Sequence, residues 1–215
     1  MEKEKTDKKD HILDVAERVF AEHGFDGAST RLISGEAGVN MAMLNYYFGS
    51  KEGLFLAVFE RRTNTFYSIL QDIGNDGQIN CWQKVIKYID AYIERIFNTN
   101  CFQKMLYQEM SMGRRSGLTD KLSKLLMLNV TEFRRILQDG IDKGEFASDV
   151  DTDLIIATVF GIKNFMINTP QICSLMLGYD TLNPHNLEEK VKPRVKGYLN
   201  KLLKSYLLIE NDNAN

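Results

Sequence analysis

Apolar residues recur along this chain at steps of three and four, and no stretch alternates regularly enough to make a half-buried strand. Between about Lys8 and His23, Ile12, Ala16, Val19 and Phe20 share one helical face, and Gly24 ends the run. Ser29 is placed to cap a short second helix ending near Ala37, and Asn40 to cap a third reaching about Phe48. Gly38, between them, tolerates the positive φ of a tight corner. Ser50 caps a long fourth helix whose apolar face is Leu54, Val58, Phe59, Phe66, Ile69 and Leu70. The segment GNDGQIN at 74–80 reads as a loop and as the boundary between halves. Further helices are predicted at about 81–98, 101–114, 118–143, 152–168, 170–177 and 188–208. The fold class is therefore all-α. A three-helix N-terminal helix-turn-helix domain (1–50) is joined by a connecting helix (51–73) to a larger helical domain (74–215).

Composition narrows the class without changing that picture. The chain has 215 residues, 44% of them hydrophobic, with three prolines and fifteen glycines, which is a globular balance. No apolar run reaches the ~18 residues of a membrane span, and Met1 to Asp10 has no apolar signal-peptide core, so a cytoplasmic protein is expected. Cys81, Cys101 and Cys173 are odd in number and widely spaced, and neither they nor His11, His23 and His185 show metal-ligand spacing. No Ser/His/Asp set, Cys/His pair or phosphate loop is present, so no enzyme, metal or cofactor is expected. Charge is the discordant feature. A DNA-binding domain is often basic, yet residues 1–62 hold nine Lys and Arg against eleven Asp and Glu.

The chemistry concentrates in STRLISGEAGVNMAMLNYYFGSKEGL, from Ser29 to Leu54. Ile33, Ala37, Val39, Leu44 and Phe48 supply a small core that holds two short helices at a fixed angle. Asn40 starts a helix carrying Met41, Ala42, Met43, Asn45 and Tyr46 on or near its exposed side, where side chains can reach base edges in a major groove. Tyr47, Ser50 and Lys51 offer hydroxyls, a cation and first-turn N–H groups for phosphate oxygens; Ser29, Thr30 and Arg31 open the preceding helix as further DNA-contact candidates.

These residues resemble the DNA-binding domain of TetR-type regulators. The family pattern is an Ile-Ala pair, then Ala-Gly-Val-Ser, Leu-Tyr-x-His-Phe and Ser-Lys-x-x-Leu. This chain has Ile33-Ser34, Ala37-Gly38-Val39-Asn40, Leu44-Asn45-Tyr46-Tyr47-Phe48 and Ser50-Lys51-Glu52-Gly53-Leu54, with Phe20, Gly24 and Phe25 upstream. It departs at Ser34, Asn40, Ala42, Asn45 and Tyr47, where the family usually has Ala, Ser, Gly, Tyr and His. Asn40 is an equivalent cap, Tyr47 keeps a phosphate donor but no charge, and Asn45 adds an amide suited to adenine. The resemblance implies a dimeric, ligand-responsive regulator, most often a repressor, bound to palindromic operator DNA. A helical interaction module that has lost DNA binding is the alternative, favoured by the non-basic N-terminal domain.

Beyond the motif, Phe102, Met105, Met112, Phe133 and Phe160 are either core residues or the lining of a cavity for an apolar or amphipathic effector. Glu109, Lys163 and Asn164 interrupt these apolar stretches and could orient such a ligand, pair with each other or face water. The resemblance implies a pocket in this domain without locating it. The 152–168 helix is apolar nearly all round, so it needs partners on two sides. Ile155, Val159, Ile162 and Met166 on it, with Tyr198, Leu199, Leu202, Leu203 and Tyr206 on the last helix, are the candidates for a homodimer interface.

Overall fold

The computed structural model describes residues 2–98, 100–112 and 116–208, with the backbone alone at 2–6, 98, 100–104, 112 and 116. Its helices are α1 (Glu2–Gly27), α2 (Thr30–Glu36), α3 (Met41–Phe48), α4 (Lys51–Asn75), α5 (Cys81–Asn98), α6 (Asn100–Met112), α7 (Ser116–Asp142), α8 (Thr152–Asn168), α9 (Pro170–Leu177), the single turn α10 (Pro184–Asn186) and α11 (Lys192–Leu207). A π-helical turn at Leu187–Val191 leads into α11. Gly24 stands at φ 68 inside α1, so the regular helix breaks where the sequence places its stop. Among the described residues the one β pairing is an isolated antiparallel bridge between Phe146 and Leu208. No helix of the described residues is long and apolar enough to cross a membrane.

The chain packs as two compact units, Met1–Phe66 with Cys101–Met127, and Tyr67–Asn100 with Leu128–Asn215. This division does not follow the loop at 74–80. Residues of α6 and the first part of α7 complete the N-terminal core instead: Met105, Leu106, Leu118 and Leu122 join Ile12, Phe20, Ile33, Leu44, Phe55 and Phe59. A domain of three short helices has too little interior of its own, and the added segment enlarges it. Phe55 sits edge-on to both Phe20 and Phe25, each ring 4.9 Å away, which fixes α4 across the end of α1. At the rim of that core Arg62 forks onto the Glu17 carboxylate at 2.5 to 3.0 Å, and Arg61 meets Asp14 at 2.7 Å.

In the second unit α5 lies against α11, and their polar rims interlock. The Lys192 ammonium, buried, reaches Glu94 at 2.8 Å and Glu188 at 2.5 Å, while Lys196 reaches Glu94 at 2.8 Å. A buried cation is tolerable only with such partners. The C-terminal end of α4 is held here as well. Lys84 Nζ donates to the Gly74 carbonyl at 2.6 Å, and Arg135 donates to Asn75 Oδ1 at 3.2 Å.

The structure corrects the expected dimer face in part. Ile155, Val159, Leu199 and Leu203 are 3%, 1%, 0% and 2% exposed, so they fill the unit's own core and cannot meet a second subunit. Ile162, Met166 and Leu202 are half-buried, and Tyr198 and Tyr206 are exposed. An apolar pattern all round a helix shows that both sides are covered, but not which side by which partner. Leu203→Glu, the charge one would place to split a dimer, is therefore expected to unfold the second unit. The cost of an unpaired buried carboxylate should be roughly 4 kcal/mol or more. Urea unfolding checks this; a cooperative wild-type-like transition for the variant would place Leu203 at the surface.

Candidate nucleic-acid interface

The two short helices are set by local bonds. Ser29 Oγ accepts the Leu32 N–H at 3.0 Å and caps α2, and Asn40 Oδ1 accepts the Met43 N–H at 2.7 Å and caps α3. Between them Gly38 takes φ +64 and Val39 N–H closes onto the Ser34 carbonyl at 2.9 Å. That is the left-handed corner the sequence required of a glycine. Leu44, fully buried, pins α3 to the core, and the opposite side of α3 faces outward. Asn40, Met41, Ala42, Asn45 and Tyr46 are exposed, Tyr46 by 74%, whereas Met43 and Tyr47 are half-buried. Ser29 and Arg31 are also exposed, with Thr30 half-buried beside them.

Two side chains in this region make contacts that carry no sequence signal. Ser34, at the position where the resembled pattern has Ala, donates from Oγ to the Arg31 carbonyl at 3.1 Å and to Met41 Sδ at 3.3 Å. Met41 is thus partly committed to holding α2 against α3. Lys51 lies 4.6 Å above the Phe25 ring and donates from Nζ to the Asp26 carbonyl at 3.3 Å. The ammonium that the sequence assigns to phosphate here anchors the end of α1 to the start of α4. A phosphate must compete with that carbonyl or share the ammonium with it. Ser50 Oγ accepts the Gly53 N–H at 3.0 Å, capping α4 as expected.

Ion pairs inside the unit leave its net charge unchanged, so what matters to a nucleic acid is where the charges lie. Among the described residues Asp10, Asp14 and Glu17 are engaged by Arg61 or Arg62, and Glu36 by Arg18 at 2.7 Å. The outward side of α3 itself bears no carboxylate, being Met, Ala, Asn and Tyr. A phosphate backbone brought to it meets amide, hydroxyl and apolar groups rather than net negative charge.

The effector candidates are divided between the two units. Met105 and Glu109 are buried in the first unit, Phe133 and the half-buried Phe160 belong to the second, and Asn164 is exposed on α8. The side chains of Phe102 and Met112 lie outside the described residues. Within the second unit Phe133 stacks on Tyr88 at 3.8 Å and Phe160 meets Tyr92 edge-on at 5.0 Å. Neither tyrosine is marked by the sequence, because along an apolar helix an inward Tyr reads as core. A separate groove of about 430 Å³ between α8, α9 and α11 is lined by residues including Phe165, Met166, Met176, Val195 and Tyr198, with Arg194 the charged residue among them.

Residues 12–58 match the profile described as bacterial regulatory proteins, tetR family, and residues 83–193 match the tetracyclin repressor-like C-terminal domain. The chain is 29% identical to the HTH-type transcriptional repressor NicS of Pseudomonas putida over 146 residues, which is 66% of this chain and 67% of that protein. Its fold is similar to that of the fatty acid degradation regulator FadR from Bacillus halodurans, with a TM-score of 0.70 at 22% identity over 90% of this chain and 94% of that one. It is also similar to the transcriptional regulator FadR from Bacillus subtilis solved in complex with stearoyl-CoA, with a TM-score of 0.67 at 21% identity over 88% and 96% of the two chains.

The cap and the corner make the geometry of α3 testable without DNA. Asn40→Ala is expected to lower stability by about 1 kcal/mol and Asn40→Ser to be close to neutral. Gly38→Ala is expected to cost about 1–2 kcal/mol through the positive φ alone. Chemical denaturation followed by circular dichroism reads both, and a neutral Asn40→Ala would mean the cap is not formed in solution.

Proposed function

Because this chain belongs to the TetR family of bacterial regulatory proteins, we propose that it works as a homodimeric repressor. It binds a near-palindromic operator through α3 and is released by a small amphipathic effector. The observation that carries the reading is a capped helix with a buried Leu44 side and an outward Asn45–Tyr46 side, entered by a left-handed glycine corner. Asn45 and Tyr46 on the outward side of α3 read base edges; Ser29, Thr30, Arg31, Tyr47, Ser50 and Lys51 set register on phosphates. A repressor among the relatives and a stearoyl-CoA complex among the similar folds support the sign of regulation and the class of effector.

Dimerisation follows from what the second unit leaves uncovered. Leu154 and Phe165 of α8, Leu175 and Met176 of α9, and Tyr198 and Tyr206 of α11 are large apolar or aromatic side chains at the surface. A patch of this kind on a water-exposed protein marks an interface. A two-fold pairing across it presents two α3 helices to half-sites about one DNA turn, ~34 Å, or a multiple apart. The effector, held in the second unit, acts through α4, whose residues belong to both units. Arg61 and Arg62 tie its first half to α1, and Lys84 and Arg135 hold its last turn.

Salt titration of binding to the DNA upstream of the protein's own gene tests the DNA reading. Arg31→Ala should weaken binding to all sequences and flatten the salt slope by about one phosphate. Tyr46→Ala or Asn45→Ala should instead change base preference by about 1–3 kcal/mol per lost contact. A wild type with no salt-dependent binding would make the protein a helical interaction module.

Light scattering tests the dimer separately. Phe165→Glu together with Tyr198→Glu should give folded monomers that bind DNA weakly, since both side chains are exposed in the protomer. A wild type that is monomeric at micromolar concentration removes the two-fold reading.

A further inference from the structure

The eight residues of α3 read MAMLNYYF and include no charged side chain. In a major groove that composition is selective. Guanine is read chiefly by the forked donors of Arg or the ammonium of Lys, and cytosine N4 by a carboxylate. Adenine is read by the amide of Asn or Gln, and thymine by apolar contact with its C5 methyl. The outward positions of α3 hold Met41, Ala42, Asn45 and Tyr46, all exposed. Asn45 suits adenine, Met41 and Ala42 are apolar, and the Tyr46 hydroxyl can donate to N7 of either purine. The helix carries readers for both members of an A·T pair and lacks the usual readers of a G·C pair.

Met41 adds a second, independent observation, because its side chain is tethered. A methionine turns about three bonds, and ordering it on a ligand costs affinity. Here Ser34, on α2 and only 5% exposed, donates from Oγ to Met41 Sδ at 3.3 Å, with the Arg31 carbonyl 3.1 Å from the same hydroxyl. Held at its sulfur, Met41 remains 38% exposed. Ser34 stands where the family pattern has Ala, so the tether belongs to this chain. Met41 and Asn45 are one turn apart on the same side of α3. Four residues rise about 6 Å along a helix, which is roughly two base-pair steps of ~3.4 Å.

We propose that Met41, positioned by Ser34, reads a thymine methyl within about two base pairs of the adenine taken by Asn45, so that the half-site under α3 consists of A·T pairs. The proposal rests on the DNA-binding reading above and narrows it to a class of operator. The sulfur tether removes in advance part of the ordering cost that a free methionine meets on entering the groove.

Selection of binding sites from a library of random duplexes by the full-length protein is the first test. The enriched half-sites are expected to share a run of A·T pairs; G·C pairs throughout the half-site overturn the proposal. Thymines of an enriched duplex are then replaced one at a time by deoxyuridine, which lacks only the methyl. At one position of the half-site the replacement should weaken binding about fourfold, the worth of one buried methyl. Met41→Ala should bind the thymine and uracil duplexes equally there. Ser34→Ala, which keeps the methionine but releases its sulfur, should narrow the ratio. A variant that only destabilised the fold would weaken both duplexes alike and leave the ratio unchanged. No methyl sensitivity at any position, or an unchanged ratio in Met41→Ala, overturns the methyl contact, and an unchanged ratio in Ser34→Ala overturns the tether. Binding without enrichment of any sequence overturns the proposal and keeps the DNA reading, whereas no salt-dependent binding to the random duplexes removes both.

Discussion

A helix of seven or eight residues does not persist in water on its own, since the bonds it closes barely offset the cost of nucleating it. Both α2 and α3 are of that length, so the surface offered to DNA exists only as far as its buried side and its caps hold it. Ile33, Ala37 and Leu44 provide the buried side, and Ser29 and Asn40 satisfy N–H groups that would otherwise be open at each start. Everything that α3 can read follows from this arrangement. The exposed position of Tyr46 is the consequence of burying Leu44 two residues earlier on the opposite side.

The same dependence explains why this part of the molecule was legible from sequence. Caps, a corner glycine and a short apolar repeat are local signals, each interpretable within a few residues, and here they agree with one another. Long-range placement was not legible. Lys51 reads as a free-standing phosphate donor until Phe25 and Asp26, about 25 residues earlier, are seen beside it. The assignment of Met105, Leu106, Leu118 and Leu122 to the N-terminal core depends on chain return, which helical periodicity does not encode. On α8 the difficulty was of another kind. Ile155 and Val159 are as apolar as Leu154 and Phe165, yet the first pair faces the core and the second faces out. Only the direction of the helix within the unit separates them.

Ionic groups are handled differently in the two units, and the contrast bears on function. Around α1 and α4, cations and carboxylates meet in partly exposed forks that hold the two helices together. Such pairs are individually worth little at a surface, but the fork of Arg62 on a mostly buried Glu17 is geometrically specific. Lys192 follows the same rule in the second unit, where two carboxylates meet a buried ammonium. At Lys163 the balance is different: burial, with a smaller contribution from Arg95, lowers its pKa, so it opposes folding wherever it is charged in the unfolded chain.

The sign of that effect fixes when it acts. Folding disfavours the Lys163 proton, and the unfolded chain keeps it up to the ordinary value of 10.5, so stability rises with pH between about 8 and 10.5. Below about 8 the penalty is present in full, and this includes neutral pH. For a ligand to move α3, it must favour one arrangement of α4 over another; tight binding alone shifts no equilibrium. The helix is held firmly near both ends, by Arg61 and Arg62 on one side and by Lys84 and Arg135 on the other, and its middle turn around Thr63 to Tyr67 passes from one unit to the next.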